Sequence, residues 1–277
     1  MSVGPPGRLF VVSTPIGNLG DLTVRAVETL RAVSAILAED TRHTRRLLER
    51  YDIATTLEPY HEHNEARMTP RLVERLRNGE SLALVSDAGT PLVSDPGARL
   101  VRAAVEAGIP VVPVPGASAL LAALVASGLD ASRFTFFGFL PRTGRERAAA
   151  LGEVVASPYT AVLYEAPPRV AGTLEELAAA GAGAREAVVA RELTKQFEEI
   201  RRGTVETLAR YYSEGPPRGE VVLVIAGAPP APPDEAALRE RARSLRAAGM
   251  SARDVARTLV DENGAPRNLA YRLAHES

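Results

Sequence analysis

Apolar residues along the chain fall into two alternating rhythms. Short unbroken apolar runs, the mark of buried strands, give way to segments where apolar positions recur every three or four residues, the mark of amphipathic helices. "RLFVVS" (8–13) precedes a helix predicted over Thr23–Val33, where Val24, Val27, Leu30 and Val33 share one face. "SAILAED" (34–40) precedes Thr41–Tyr51, "SLALVS" (81–86) precedes Gly97–Ala107, and "IPVVPVP" (109–115) precedes Ala117–Ser127. Such alternation predicts a mostly parallel sheet covered by helices.

A second set of strands follows in "FTFFGFL" (134–140), "YTAVLYEA" (159–166), "EAVVARELT" (186–194) and "EVVLVIAG" (220–227), again with helical stretches between. "EEIRRGTVETL" offers a further strand and a helix start at Thr204. Two sheets joined near Gly128 is the simplest division, and one larger sheet is the alternative. "GAPPAPPDEA" (227–236) reads as a semi-rigid proline-rich linker. Beyond it come three short helical patterns, one of them opened by Ser251 with Asp254 three residues on, close to a capping box. The expected organisation is α/β: residues 1–128 and 129–228 as two α/β domains with a cleft between them, 229–234 as linker, and 235–277 as a helix-turn-helix-like tail.

Composition narrows the chemistry. With no cysteine in 277 residues, a disulfide framework and a thiolate metal site are both impossible. Four histidines without H-x-x-x-H spacing argue against zinc, so no metal is expected. A net charge of −1 leaves nucleic-acid binding to local patches, such as the tail, whose eight arginines outnumber six acidic residues. Neither a secretory leader nor an apolar run of about 18 residues is read, so a soluble, cytoplasmic protein is expected. Lys195 is the sole lysine, and an ion pair with Glu198 or Glu199 is its plain reading.

In open α/β sheets ligands bind beyond the carboxyl ends of strands. Five polar or glycine-rich segments fall at such ends: 13–23, 38–46, 86–97, 113–119 and 164–169. G-x-G-x-x-G after a strand, G-x-x-x-x-G-K-[ST] and G-x-S-x-G are all absent, which removes dinucleotide, Walker-type and nucleophile-elbow readings. The residues alone reach an α/β enzyme with a loop-built cleft.

Resemblance reaches further. "STPIGNLGDLTVRAVETL", "AEDTRHTRRLL", "HEHNE", "LVSDAGTPLVSDPGARLV" and "ARELTKQFEEI" occur in this order across nearly the whole chain. Together they resemble the small-subunit ribosomal RNA methyltransferase I family, in the tetrapyrrole methylase superfamily. That resemblance implies S-adenosylmethionine as cofactor between two α/β domains, and transfer of its methyl to the ribose 2′-hydroxyl of a cytidine in 16S rRNA. It also implies a homodimer, acting on the assembled small subunit. Superfamily members usually carry a G-x-G-P-G-D type loop after the first strand; here Ser13–Asn18 replaces it, which argues against a porphyrinoid substrate. A corrinoid or porphyrinoid methylase and a non-catalytic RNA-binding assembly factor remain the alternatives.

By its place in the superfamily pattern, Ser86, Asp87, Ala88, Gly89, Thr90 and Pro91 resemble the loop around the methionine part of the cofactor. Pro115, Gly116, Ser118 and Ala119 resemble the second cofactor loop, while Tyr164, Glu165, Ala190 and Arg191 would flank the adenosine. The 2′-hydroxyl needs a base; Asp40, His61 and Glu192 are the candidates beside Asp87, with Asp40 favoured. Asp40 reads equally as a cap on the helix at Thr41, and Asp95 as a turn or cap residue. Candidate RNA contacts are Asn18, Arg42, Arg267, Asn268 and Arg272, whereas Arg45, Arg46 and Arg50 belong to a solvated helix face.

Overall fold

A computed structural model describes residues 6–229 and 234–276. The first sheet is built of β1 (Leu9–Val12), β2 (Ala35–Ala38), β3 (Leu57–Pro59), β4 (Leu82–Val85) and β5 (Val111–Val114), in the order β3-β2-β4-β1-β5. Every pairing in it is parallel. Strands covered on both faces need apolar residues at every position, so β2 and β4 appear as unbroken apolar runs, buried throughout. On one face α1 (Val24–Ala32) and α2 (Thr41–Arg50) bury Leu30, Leu47 and Leu48 against Val12 and Ile36. On the other, α3 (Glu65–Arg77) and α4 (Ala98–Glu106) bury Leu72, Leu76 and Leu100 against Leu9, Leu37 and Leu84. Each such leucine contributes roughly 1.5–3 kcal/mol by leaving water.

α5 (Ala119–Ser127) ends at Gly128, whose φ of +82° closes the helix in the left-handed conformation. The second sheet then forms from β6 (Phe134–Phe139), β7 (Thr160–Glu165), β8 (Glu186–Arg191), β9 (Glu199–Thr204) and β10 (Val221–Ile225), ordered β6-β7-β10-β8-β9. Only β6 and β7 pair in parallel; the remaining pairs are antiparallel, so the parallel expectation holds for the first sheet alone. α6 (Gly144–Ala156), α7 (Val170–Leu177) and α8 (Val205–Ser213) cover one face. α5 covers the other, seating Leu120, Ala123 and Leu124 on Val162, Val188, Val222 and Val224 together with Ile16. Both sheets therefore share a core within one compact unit that ends at Ala228.

The tail is a second unit. Asp234 accepts the Ala237 amide to start α9 (Glu235–Ala247), and Ser251 accepts the Asp254 amide to start α10 (Ala252–Asp261). With α11 (Arg267–Glu276) these helices enclose Leu238, Val255, Leu259 and Leu273. The stretch expected as linker lies, between its two ends, outside the described residues. Among the described residues no helix is long and apolar enough to cross a membrane.

Candidate active site

Three loops leave the carboxyl ends of β1, β4 and β5 and lock together. Thr14 and Gly89 exchange two backbone hydrogen bonds, of 2.8 and 3.1 Å. Ser13 Oγ and Thr90 Oγ1 lie 3.1 Å apart, and Thr90 Oγ1 donates to the Ala117 carbonyl at 3.3 Å. Ser86 Oγ donates to the Gly89 carbonyl at 3.0 Å, which folds the turn back on itself. Gly89 has φ +82°, and a Cβ there would meet Ile16 Cγ2 at 3.3 Å; a Cβ on Gly116 would meet Ser13 Cβ at 3.0 Å. Both glycines permit a backbone approach that a side chain would obstruct.

The opposite wall comes from the second sheet. Since β10 runs antiparallel to β7, its first residues meet β7's last ones, with Val222 opposite Tyr164 and Val221 opposite Glu165. Lys195 ties the intervening segment down: its Nζ donates to Glu192 at 2.7 Å and Glu220 at 3.2 Å, and its stem lies over Gly17. These are its carboxylate partners, in place of the expected Glu198 or Glu199. The Asn18 amide donates to Thr194 Oγ1 at 3.2 Å, joining this segment to the loop after β1.

Between the walls lies a cavity of about 350 Å³, within the roughly 300–1,000 Å³ of small-molecule sites. Ala88, Gly89, Thr90, Ser118 and Ala119 line one side, Tyr164, Leu193 and Val222 the other. Four non-glycine residues with positive φ border it: Leu92 (+72°), Ser94 (+65°), Glu192 (+50°) and Thr194 (+67°). Strain of this kind, about 1–3 kcal/mol each, persists only where surrounding structure holds it. α5 begins at the cavity, so the amides of its first turn have no partner within the helix. Among the described residues Ser118 Oγ makes no hydrogen bond there either.

Charge gathers on the rim. Asp95 lines the cavity, and its pKa is pushed up from 3.8 to about 6, chiefly by burial and then by the like charges of Glu39 and Asp87. The Glu39 pKa is raised by partial burial and by Asp87 in turn. A wall of crowded carboxyls beside apolar surface and a helix N-terminus suits a ligand that carries a cationic centre, an anionic group and an apolar ring.

The structure brings together only some of the residues expected here. Ala88, Gly89, Thr90, Ser118, Ala119 and Tyr164 face the cavity. Ser86 is buried and braces the turn, Pro91 is buried, and Pro115 and Gly116 are exposed and outside the lining. Asp87 directs a carboxylate oxygen to the Asp40 amide at 3.0 Å. Glu165 touches the cavity, but its carboxylate accepts Thr173 Oγ1 at 2.6 Å and pairs with Arg169 at 3.3 Å in the interior of the second sheet. Ala190 is fully buried against α5, and Arg191 pairs with Glu199 at 2.7 Å, so neither flanks the cavity.

The favoured bases fare worse. Asp40 caps α2 through the Arg42 amide and grips the Arg42 guanidinium at 2.9 Å, which holds its carboxyl far below the usual range. Glu192 is lowered by Lys195 and by the Glu220 amide. Both are poor proton acceptors in this state. His61 lies outside the lining, with Nδ1 buried and unbonded. Among the expected RNA contacts, Arg272 pairs with Glu235 at 2.9 Å inside the tail, while Arg267 and Asn268 are exposed on α11. Leu193, Phe139 and the 219–222 stretch are not announced by the sequence, and Asp95 reads there as a turn or cap residue. The second Asp-X-Gly-like turn of "SDAGTPLVSDPG" was the available signal for Asp95.

The fold is shared with solved structures. A solved structure of uroporphyrin-III C-methyltransferase from Thermus thermophilus, complexed with S-adenyl homocysteine, superposes with a TM-score of 0.57 at 21% identity. It covers 79% of this chain and 97% of its own. The family model described as Tetrapyrrole (Corrin/Porphyrin) Methylases matches residues 8–209. Ribosomal RNA small subunit methyltransferase I of Synechocystis is 48% identical over 273 residues, 98% of each chain. Its namesake in Xylella fastidiosa is 49% identical over 270 residues, 96% of this chain and 98% of its own. The chain belongs to the ribosomal RNA small subunit methyltransferase I family of the tetrapyrrole methylases.

Proposed function

We propose that the protein is an S-adenosylmethionine-dependent methyltransferase that modifies the ribose 2′-hydroxyl of a cytidine in small-subunit ribosomal RNA. The observation that carries this reading is the near-identical length and 48–49% identity shared with relatives bearing the rRNA methyltransferase name. The five motifs in register extend it to the ribose of cytidine. It works in the cytoplasm on the assembled small subunit, as a homodimer. α5 is apolar all round yet leaves Leu121 and Val125 exposed at 48% and 75%, which favours a second copy as their cover.

The residues present fit the cofactor. The α5 amides and Ser118 Oγ suit its carboxylate, the acidic rim its cationic centres, and Tyr164, Leu193 and Val222 its adenine. When bound, it supplies a methyl group on a positively charged sulfur, already an electrophile. The chain then has to align the acceptor oxygen, exclude water and take a proton. Alignment alone is worth several kcal/mol, up to about 7–11 in well-oriented systems. With Asp40 and Glu192 held as ion pairs, Asp95, a cavity carboxyl pushed up to about 6, is the candidate base.

The test is methyl transfer from radiolabelled S-adenosylmethionine to unmethylated small subunits, naked 16S rRNA and a tetrapyrrole acceptor in parallel. Label on subunits above all supports the proposal. Label on the tetrapyrrole alone would replace it with the small-molecule reading.

A further inference from the structure

β6 carries an irregularity that changes which way its last aromatic residue faces. Phe136 pairs with Val162, yet Gly138 pairs with Leu163 and Phe139 with Tyr164, so Phe137 is an extra residue in the ladder. Side chains alternate between faces with period two, and one inserted residue inverts that alternation. Phe137 packs into the core beneath α6–α8, while Phe139 is set on the cavity side beside Tyr164, ring centroids 5.5 Å apart. Gly138 makes the bulge possible: its φ is +61°, and a Cβ there would lie 3.2 Å from Ser94 Oγ, in the loop that carries Asp95.

The result is unusual for a phenylalanine. Phe139 lines the cavity and remains 56% exposed. Its inner neighbours form an edge-to-face pair, Phe136 meeting Tyr164 at 5.0 Å, so the Tyr164 ring beside Phe139 is itself braced. Immediately beyond it the loop into α6 is fixed at Pro141, whose carbonyl accepts Arg147 at 3.1 Å and Arg169 at 3.2 Å. Arg142 in that loop and Arg145 in the first turn of α6 are exposed, and among the described residues their side chains make no ion pair or hydrogen bond. An exposed ring beside a braced one, followed by two unengaged guanidiniums, matches how single-stranded nucleic acid is held, bases on aromatic faces and phosphates on arginine.

We propose that Phe139 is the stacking platform for the nucleobase of the acceptor nucleotide, with Arg142 and Arg145 holding its flanking phosphates. This rests on the rRNA reading above. A base laid on Phe139 would put its own ribose beside the cavity that Phe139 shares with Ser118, Tyr164 and Val222, the residues that would hold the methyl donor. Sequence does not announce the site, because "FTFFGF" without the bulge would send Phe139 to the opposite face.

The experiment compares Phe139→Leu, Phe139→Trp and the wild type, together with Arg142→Gln/Arg145→Gln. Each is assayed for S-adenosylmethionine Kd by calorimetry and for kcat/KM on unmethylated small subunits. Leu keeps apolar bulk without a π face, so it should lower kcat/KM roughly tenfold to a hundredfold with Kd unchanged, and Trp should restore it. The arginine pair should raise KM and flatten its salt dependence. A matching loss of cofactor affinity in Phe139→Leu, or full activity in that variant, would overturn the platform while leaving the rRNA reading intact. No transfer to subunits by the wild type would overturn both.

Discussion

The carboxylate of Asp87 accepts the backbone amide of Asp40 at 3.0 Å, across 47 positions of sequence. One bond thus ties the glycine-rich turn after β4 to the residue that caps α2. Asp87→Ala leaves that part-buried amide without its acceptor and removes a charge from the rim. A destabilisation of about 1–3 kcal/mol is expected in denaturant titration, along with weaker S-adenosylmethionine binding. Asp87→Asn, which still offers a carbonyl oxygen, should recover the stability and not the affinity. Equal affinity in all three proteins would place Asp87 outside cofactor binding.

Asp95 makes the site pH-sensitive. Its folded pKa of about 6 lies above the ordinary 3.8, so burial disfavours the ionised form. The group therefore stabilises the fold fully below about pH 4 and loses that contribution as pH rises through 6. Asp95→Asn should gain stability over wild type at pH 7–8, with the gap closing at pH 4. Binding of the cationic cofactor has the opposite sign: affinity should fall in the wild type as pH drops through 6, and stay level between pH 5 and 8 in Asp95→Asn. Calorimetry across that range checks both halves of the effect.

Glu165 separates a structural carboxylate from a ligand-binding one. Thr173 Oγ1 donates to it at 2.6 Å and itself accepts from Arg147 Nη2 at 2.9 Å, all beneath the second sheet. Thr173→Val should cost about 1–3 kcal/mol by leaving one buried oxygen without its donor. Cofactor affinity should not change at a temperature where the variant is folded. A specific loss of affinity would return the Glu165 carboxylate to the ligand site.

α2 carries an exposed, arginine-rich face just after Asp40. Arg45, Arg46 and Arg50 lie on its exposed side and, among the described residues, have no ion-pair or hydrogen-bond partner. Replacing all three by Gln should weaken small-subunit binding and lower the log–log salt slope by about one for each phosphate no longer neutralised. Cofactor Kd should be unaffected. An unchanged salt slope would return these arginines to the solvated face that sequence alone assigns them.

What was legible in the sequence depended on distance along the chain. β1, β2, β4 and β5 are apolar runs closed by polar turns, and their order and loops follow from local pattern. Ser251 and Asp254, three residues apart, announce the start of α10 without any tertiary information. β3 and α3 were hidden because one is three residues long and the other contains Pro70, ordinarily a helix breaker. The antiparallel second sheet was hidden because alternation with helices does not encode strand direction. That miss carried over to the site, since only an antiparallel β10 brings Gly219–Val222 to the cavity. The pairing of the favoured base was hidden for a shorter-range reason: Arg42, two residues from Asp40, occupies the carboxylate that the strand-end position recommended. Asp95 owes its titration partly to Glu39 and Asp87, a meeting of two strand ends that spacing does not reveal.

The central claim is that the acceptor is a ribose hydroxyl of ribosomal RNA. Its most direct test is to methylate small subunits lacking the modification with labelled S-adenosylmethionine, digest the RNA and identify the labelled nucleoside. The account predicts 2′-O-methylcytidine, in a linkage that resists alkaline hydrolysis. Label on a base nitrogen or carbon, or cofactor binding with no transfer to RNA, would contradict it.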